Sequence, residues 1–246
     1  MRKEPFSEGN VVHVIKRGAR GLDIFLDDSE RWQFINSLYI LNDEYHCDNW
    51  RKETITLGLF ERPKHWPERK TITRILAWVI LPNHIHLLVQ ESKKGGVSKF
   101  MQRICGSMTL AFNAKHKSQG SIFQGAYKAK RVDGDDYLRY LMFYILIKNT
   151  LEQYPGGLKV ALSEFDKAWS WMVSHPFSSL RSSLLGTESP VIDDPEGFVR
   201  SFITSNNFSK NEIFEMLGGY LTKDLSKSDL QKTVDKEQVR LAKKWG

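Results

Sequence analysis

The stretch Trp78-Val-Ile-Leu-Pro-Asn-His-Ile-His-Leu-Leu-Val-Gln90 limits what this chain can fold into more than any other. Two apolar runs, Arg74 to Leu81 and His84 to Gln90, are separated by Pro82-Asn83 alone, and a two-residue connection closes as a tight hairpin. Along the second strand, side chains alternate between faces, so His84, His86 and Leu88 point one way and Ile85, Leu87 and Val89 the other. Two imidazoles at i and i+2 stand side by side. They suit one divalent ion held from one direction, with coordination positions left open for a substrate oxygen. The same spacing is also that of two packed histidines satisfied by backbone groups.

Other elements arrange themselves around this hairpin. Asn10 to Lys16 is β-branched and reads as a strand, followed by a tight basic turn at Arg17-Gly18-Ala-Arg-Gly21. Asp27-Asp-Ser-Glu30 supplies a helix cap and first-turn acids, which predicts a helix from about residue 28 to 45. Thr54 to Phe60 reads as a further strand, and Arg62 to Lys70, with two prolines, as a surface loop. After Gly95-Gly96, the spacing of Phe100, Ile104, Met108, Ala111 and Phe112 predicts a second helix. Gly120 to Val132 is a loop entering a short basic strand. The run from Tyr137 to Asn149 is a helix apolar on nearly all sides, hence buried.

The net charge is +7, yet nine cations and no acid fall between Ser92 and Val132: Lys93, Lys94, Lys99, Arg103, Lys115, Lys117, Lys128, Lys130 and Arg131. The positive excess therefore belongs to one segment, as phosphate contact requires; a solvated helix face is the plainer alternative. Tyr137, Tyr140 and Tyr144 share one side of the buried helix. A phenol held there either packs with its hydroxyl satisfied or attacks a phosphodiester to form a covalent phosphotyrosine.

Three blocks, HVIKRGARGLDIFLDDSERWQF, WVILPNHIHLLVQ and IFQGAYKAKRVDGDDYLRYLMFYILIKN, occur in this order and resemble the REP-associated tyrosine transposases, single-tyrosine members of the HUH (His-hydrophobic-His) nucleases. The resemblance runs from about residue 10 to 185, with FSSLRSSLLG similar to the family's segment after the core. It implies a ferredoxin-like α+β fold, an antiparallel sheet of four or five strands with helix one, the basic helix and the Tyr144 helix on one face. It also implies that His84 and His86 bind Mg2+ or Mn2+ and that Tyr144 is the nucleophile. Tyr137 becomes a packing residue, and Tyr140 has no assigned role. Gln124, Tyr127 and Lys128 match a family block near DNA or the active site. Arg17 and Arg20 match another, and Lys130 and Arg131 extend the basic strand toward DNA.

One departure concerns the position a helical turn after the tyrosine, where the family carries Asn or Gln and this chain has Lys148, then Asn149. On an α-helix, i+4 lies about 40° around from Tyr144 and i+5 about 140°. Lys148 therefore faces the site, to hold phosphate or replace metal charge. Asn149 completes the metal set only if the helix end is distorted.

Composition changes after Pro155-Gly156-Gly157, which divides a catalytic region, 1–157, from a helical C-terminal extension, 158–246, ending in a mixed-charge helix near 225–245. Two cysteines, no apolar leader and no apolar run of about 20 residues point to a soluble cytoplasmic protein. Two functions are compatible with these features: a single-stranded DNA endonuclease and strand transferase, acting on single-stranded or hairpin DNA as a monomer or homodimer, or a domesticated relative that binds hairpin DNA or RNA without cutting.

Overall fold

The structure, a computed structural model, describes residues 6–205 and 208–222. The mixed-charge helix expected near 225–245 lies outside the described residues. Among those described, four strands form one antiparallel sheet in the order β2-β3-β1-β4: β1 (Val11–Arg17), β2 (Arg74–Leu81), β3 (His84–Gln90) and β4 (Lys128–Arg131). Helix α1 (Asp28–Ile40) connects β1 to β2, and α3 (Gly96–His116) connects β3 to β4; the short α2 (Trp50–Thr54) lies between α1 and β2. This β-α-β-β-α-β order with this strand sequence is the expected ferredoxin-like arrangement.

The hairpin closes as its sequence requires, with Leu81 facing His84 across Pro82-Asn83. It is held from outside: the N–H groups of Ile24 and Phe25 donate to the carbonyl of Pro82 at 2.8 and 3.1 Å, and that of Gly18 donates to Asn83 at 2.8 Å. A Cβ at Gly18 would collide with the carbonyl oxygen of Leu22, so the Arg17-Gly18 turn can dock here only with glycine.

Helix α1 starts where its cap predicts, the Asp27 carboxylate accepting from the N–H of Glu30 at 3.0 Å. It stops at Ile40 rather than near 45. The buried side chain of Asn42 takes over there, donating to the carbonyl of Thr73 at 2.7 Å and accepting from the N–H of Thr73 at 3.1 Å. Those bonds tie the chain to the start of β2 in place of another helical turn. The strand expected over 54–60 does not form. Thr54 ends α2, its hydroxyl donating to the carbonyl of Trp50 at 2.9 Å, and the chain then turns, with Phe60 in the left-handed region. β-Branched residues make a strand only where a pairing partner exists. The free edge of β2 is instead covered by residues 177–179, with Ile80 N–H donating to Phe177 and Ser179 N–H donating to Trp78, both at 2.9 Å.

The two faces of the sheet carry different cores. Val12, Val14, Trp78, Ile80, Ile85, Leu87 and Val89 pack against α1 and α3. Leu76, Ala77, Val79, Leu81 and Leu88 pack against a long helical stretch made of α4 (Asp135–Met142), a π-helical turn (Phe143–Lys148) and α5 (Asn149–Leu151). The Tyr144 helix, expected beside α1 and α3, therefore covers the opposite face. The reason is visible in β2, whose residues 75–81 are buried on both sides: a sheet apolar on both faces needs cover on both. Helices α6 (Gly157–Ser163), α7 (Phe165–Ser174), α8 (Leu180–Leu185), α9 (Phe198–Ser205) and α10 (Lys210–Thr222) add Ala161, Met172, Leu180, Ile203, Ile213 and Leu217 to this second core. No helix among the described residues is long and apolar enough to cross a membrane.

Candidate active site

His84 and His86 project from β3 onto the face covered by the tyrosine helix, their ring centres 4.9 Å apart. The ring of Tyr144 meets that of His86 edge-on at 5.5 Å, and Tyr140 stacks on Tyr144 at 5.8 Å. The sheet and the buried helix thus place the Tyr144 ring against His86. Opposite His84 in the β1–β3 ladder stands Arg17; its positive charge reaches both His86 and Tyr144.

Each histidine is engaged through Nδ1. The Asn83 amide is oriented by Nδ2 donating to the carbonyl of Gly21 at 3.2 Å, which turns Oδ1 to His84, and Nδ1–H of His84 donates to it at 2.6 Å. In the neutral ring this puts the lone pair of His84 on Nε2. His86, with 0% of its surface exposed, has Nδ1 2.9 Å from Nε2 of His13, and its Nε2 is buried without a hydrogen-bond partner among the described residues. Burial holds the pKa of His86 well below 6.5, with the neighbouring His84, His13, Lys148 and Arg17 adding to the effect. It is a neutral imidazole, the ligand form. Burial raises the pKa of Tyr144; Glu152 raises it further and Arg17 opposes them.

The π-turn alters the course of the helix beyond Tyr144. The N–H of Asn149 donates to the carbonyl of Tyr144, five residues back rather than four. The extra residue is absorbed, and Asn149 stands one turn above the tyrosine while Lys148 also stays on that side, its ammonium 5.0 Å over the Tyr144 ring. The ammonium pairs with Glu152 at 2.7 Å and contacts Oδ1 of Asn149 at 3.4 Å. Asn149 is 1% exposed, and its Nδ2 is buried without a partner among the described residues. Such a polar orphan in a tight core marks a group shaped for something besides packing.

The remaining residues singled out in the sequence divide between the faces. Lys128 and Lys130 pair with Ile15 and His13 in the β1–β4 ladder and so share the histidine face; the Lys130 ammonium lies 4.0 Å over the ring of Tyr137. Arg131 faces Val12 on the other side and pairs with Asp133 at 2.7 Å. The hydroxyl of Tyr127 lies 2.8 Å from that of Ser98 on α3, away from the histidines. Gln124 is exposed, with its backbone N–H donating to the carbonyl of Arg17 at 2.9 Å, and Arg20 is exposed in a left-handed conformation. Part of the basic segment is neutralised locally, Lys93 by Glu44 and Lys115 by Asp27 and Glu30.

Two residues at this site were not singled out in the sequence, His13 and Glu152, and Tyr140, which had no assigned role, is the stacking partner of Tyr144. His13 alone had a readable signal, because alternation from Arg17 puts positions 15, 13 and 11 on its face.

Among the described residues, no group of three or more His, Cys, Asp and Glu side chains is arranged to hold a metal. Two imidazoles on one face and a buried amide on the facing helix are nonetheless donor types that fit a weakly held, open-sided divalent ion, which suits a site completed by phosphate oxygens.

The model of the family described as transposase IS200 like matches residues 50–147. No curated protein matches the chain. Two solved structures are similar: a REP-associated tyrosine transposase bound to a REP hairpin (15% identity over 78% of this chain and 90% of that one, TM-score 0.42), and a protein from Deinococcus radiodurans R1 described as a transposase (12% identity over 58% and 95%, TM-score 0.32). Residues 50–147, the part of the chain similar to the IS200-like transposases, carry both β3 histidines and Tyr144.

Proposed function

We propose that the protein cuts and transfers single-stranded DNA through a covalent intermediate on Tyr144. The observation that carries this reading is the placement of Tyr144 edge-on against His86 at 5.5 Å, on the face where Arg17, Lys128 and Lys130 also lie. Tyr144 Oη would bond to the scissile phosphorus and lose its proton, while the P–O3′ bond breaks and the departing 3′ oxygen takes up a proton. A 5′-phosphotyrosine results, open to attack by another 3′ hydroxyl. Packing of the tyrosine helix fixes the aim of the phenol. His84 and His86 would hold Mg2+ or Mn2+ together with Asn149, and a bound ion there would polarise a non-bridging phosphate oxygen. Arg17, Lys128 and Lys130 would hold the DNA backbone, and a hairpin beside the cut is the substrate that the family resemblance implies.

The test is incubation with a panel of hairpin-bearing single strands and Mn2+, followed by denaturing electrophoresis. A protein–DNA adduct that disappears in Tyr144→Phe is expected; an adduct that survives the substitution would rule out this assignment.

A second reading, a non-cleaving hairpin binder, is favoured by the Lys148 ammonium over the Tyr144 ring, which places a cation where the family has an amide. It predicts hairpin binding that is sensitive to salt and indifferent to chelator and to His84→Ala.

A further inference from the structure

His13 stands opposite Leu88, and Ile15 opposite His86, in the β1–β3 ladder, so His13 is the diagonal neighbour of His86 on the same face. The two nitrogens are 2.9 Å apart and the rings 12° from coplanar, with centres 5.2 Å apart. That separation is close to the N···N distance plus the two ring radii. The bond therefore runs along the line of centres in a shared plane, as a straight N–H···N bond rather than a face-to-face stack. Both rings are buried, His13 at 4% exposure.

One proton lies between them, and its owner matters. If His13 donated it, His86 would carry its own proton on Nε2, buried without an acceptor among the described residues and close to the charges of Lys148 and Arg17. If His86 donates, Nδ1–H is satisfied by His13 and the Nε2 lone pair faces those positive charges, the cheaper arrangement. We infer that His13 is a positioning residue: it accepts the Nδ1 proton of His86, fixes the plane of that ring and leaves Nε2 as a lone pair ready for a divalent cation. The metal part of this inference rests on the function proposed above. Asn83 serves His84 in the same way from the hairpin turn, so each histidine has its own outer acceptor.

The test uses the full chain without DNA. Long-range 1H–15N spectra of the labelled protein should show His86 protonated on Nδ1, and His13→Phe, which fills the space without an acceptor, should abolish that tautomer. Mn2+ affinity, read from the free-ion EPR signal, should fall about 10- to 100-fold in the same variant. A wild-type His86 protonated on Nε2 overturns the inference, as does a His13→Phe protein with unchanged tautomer and affinity. Should His13→Phe fail to fold, the wild-type tautomer decides. A wild type that shows the Nδ1–H tautomer but no His86-dependent Mn2+ binding upholds the orienting bond and overturns the metal reading instead.

Discussion

The Lys148–Glu152 pair gives a sharp prediction, because its two partners should be unequal to mutation. The Nζ–Oε2 distance is 2.7 Å, and the side chains are 7% and 23% exposed. Removing one partner of a buried ion pair costs about 3–5 kcal/mol, since the other charge stays behind in a poor solvent. Glu152 is partly open to water, which places Glu152→Gln below that range, at about 2–3 kcal/mol. Lys148→Met removes the deeper charge, keeps the aliphatic stem and leaves behind a carboxylate that water can reach; it should cost no more than about 1 kcal/mol, and the double variant Lys148→Met/Glu152→Gln should lie within about 1 kcal/mol of wild type. Urea denaturation of the four proteins closes the cycle. Glu152 also raises the pKa of Tyr144, so Glu152→Gln should move the Tyr144 phenol titration to lower pH, read by ultraviolet absorbance against Tyr144→Phe. If Glu152→Gln is neutral while Lys148→Met is the costly change, the pair does not have the buried, one-sided character derived for it.

The same geometry sets further outcomes. Burial, helped by the charge of Lys130, lowers the pKa of His13 from 6.5 to about 3; between those values the unfolded chain binds the extra proton, so this stability is full above pH 6.5 and lost as pH falls toward 3. In chelator, going from pH 6.5 to 5 should cost about 2 kcal/mol from His13 alone, with His86 adding in the same direction; a urea midpoint flat over that interval contradicts this. Leu146 is almost fully buried under the sheet, and Leu146→Ala should lower stability by about 2–5 kcal/mol, with a loss under 1 kcal/mol refuting its place in that core. Arg17→Ala should weaken hairpin binding and reduce the slope of log affinity against log salt by about 1; an unchanged slope would remove Arg17 from the DNA contact.

Residues 74–90 were legible because their information is local: period two and a two-residue turn fix both the hairpin and the common face of His84 and His86. The cap at Asp27 and the apolar spacing of α3 were legible for the same reason. What escaped depends on partners distant in the chain. Thr54 to Phe60 has strand composition but no pairing edge, since residues 177–179 take the edge of β2. The face chosen by the Tyr144 helix depends on how much of β2 is buried on each side, which composition does not reveal. The π-turn is the clearest case. Regular helix geometry placed Asn149 away from Tyr144, and the i→i+5 bonding of Phe143–Lys148 brings it back.

Tyr144, placed by the buried helix beside His86, is under the proposed function the residue that becomes joined to DNA. The most direct test is tandem mass spectrometry of an adduct trapped with Mn2+ and a hairpin strand, fragmenting the tryptic peptide of residues 140–148. That peptide holds both Tyr140 and Tyr144, so fragmentation must separate them. The nucleotide is expected on Tyr144. A nucleotide on Tyr140 instead, or one still present on this peptide in Tyr144→Phe, would contradict that role.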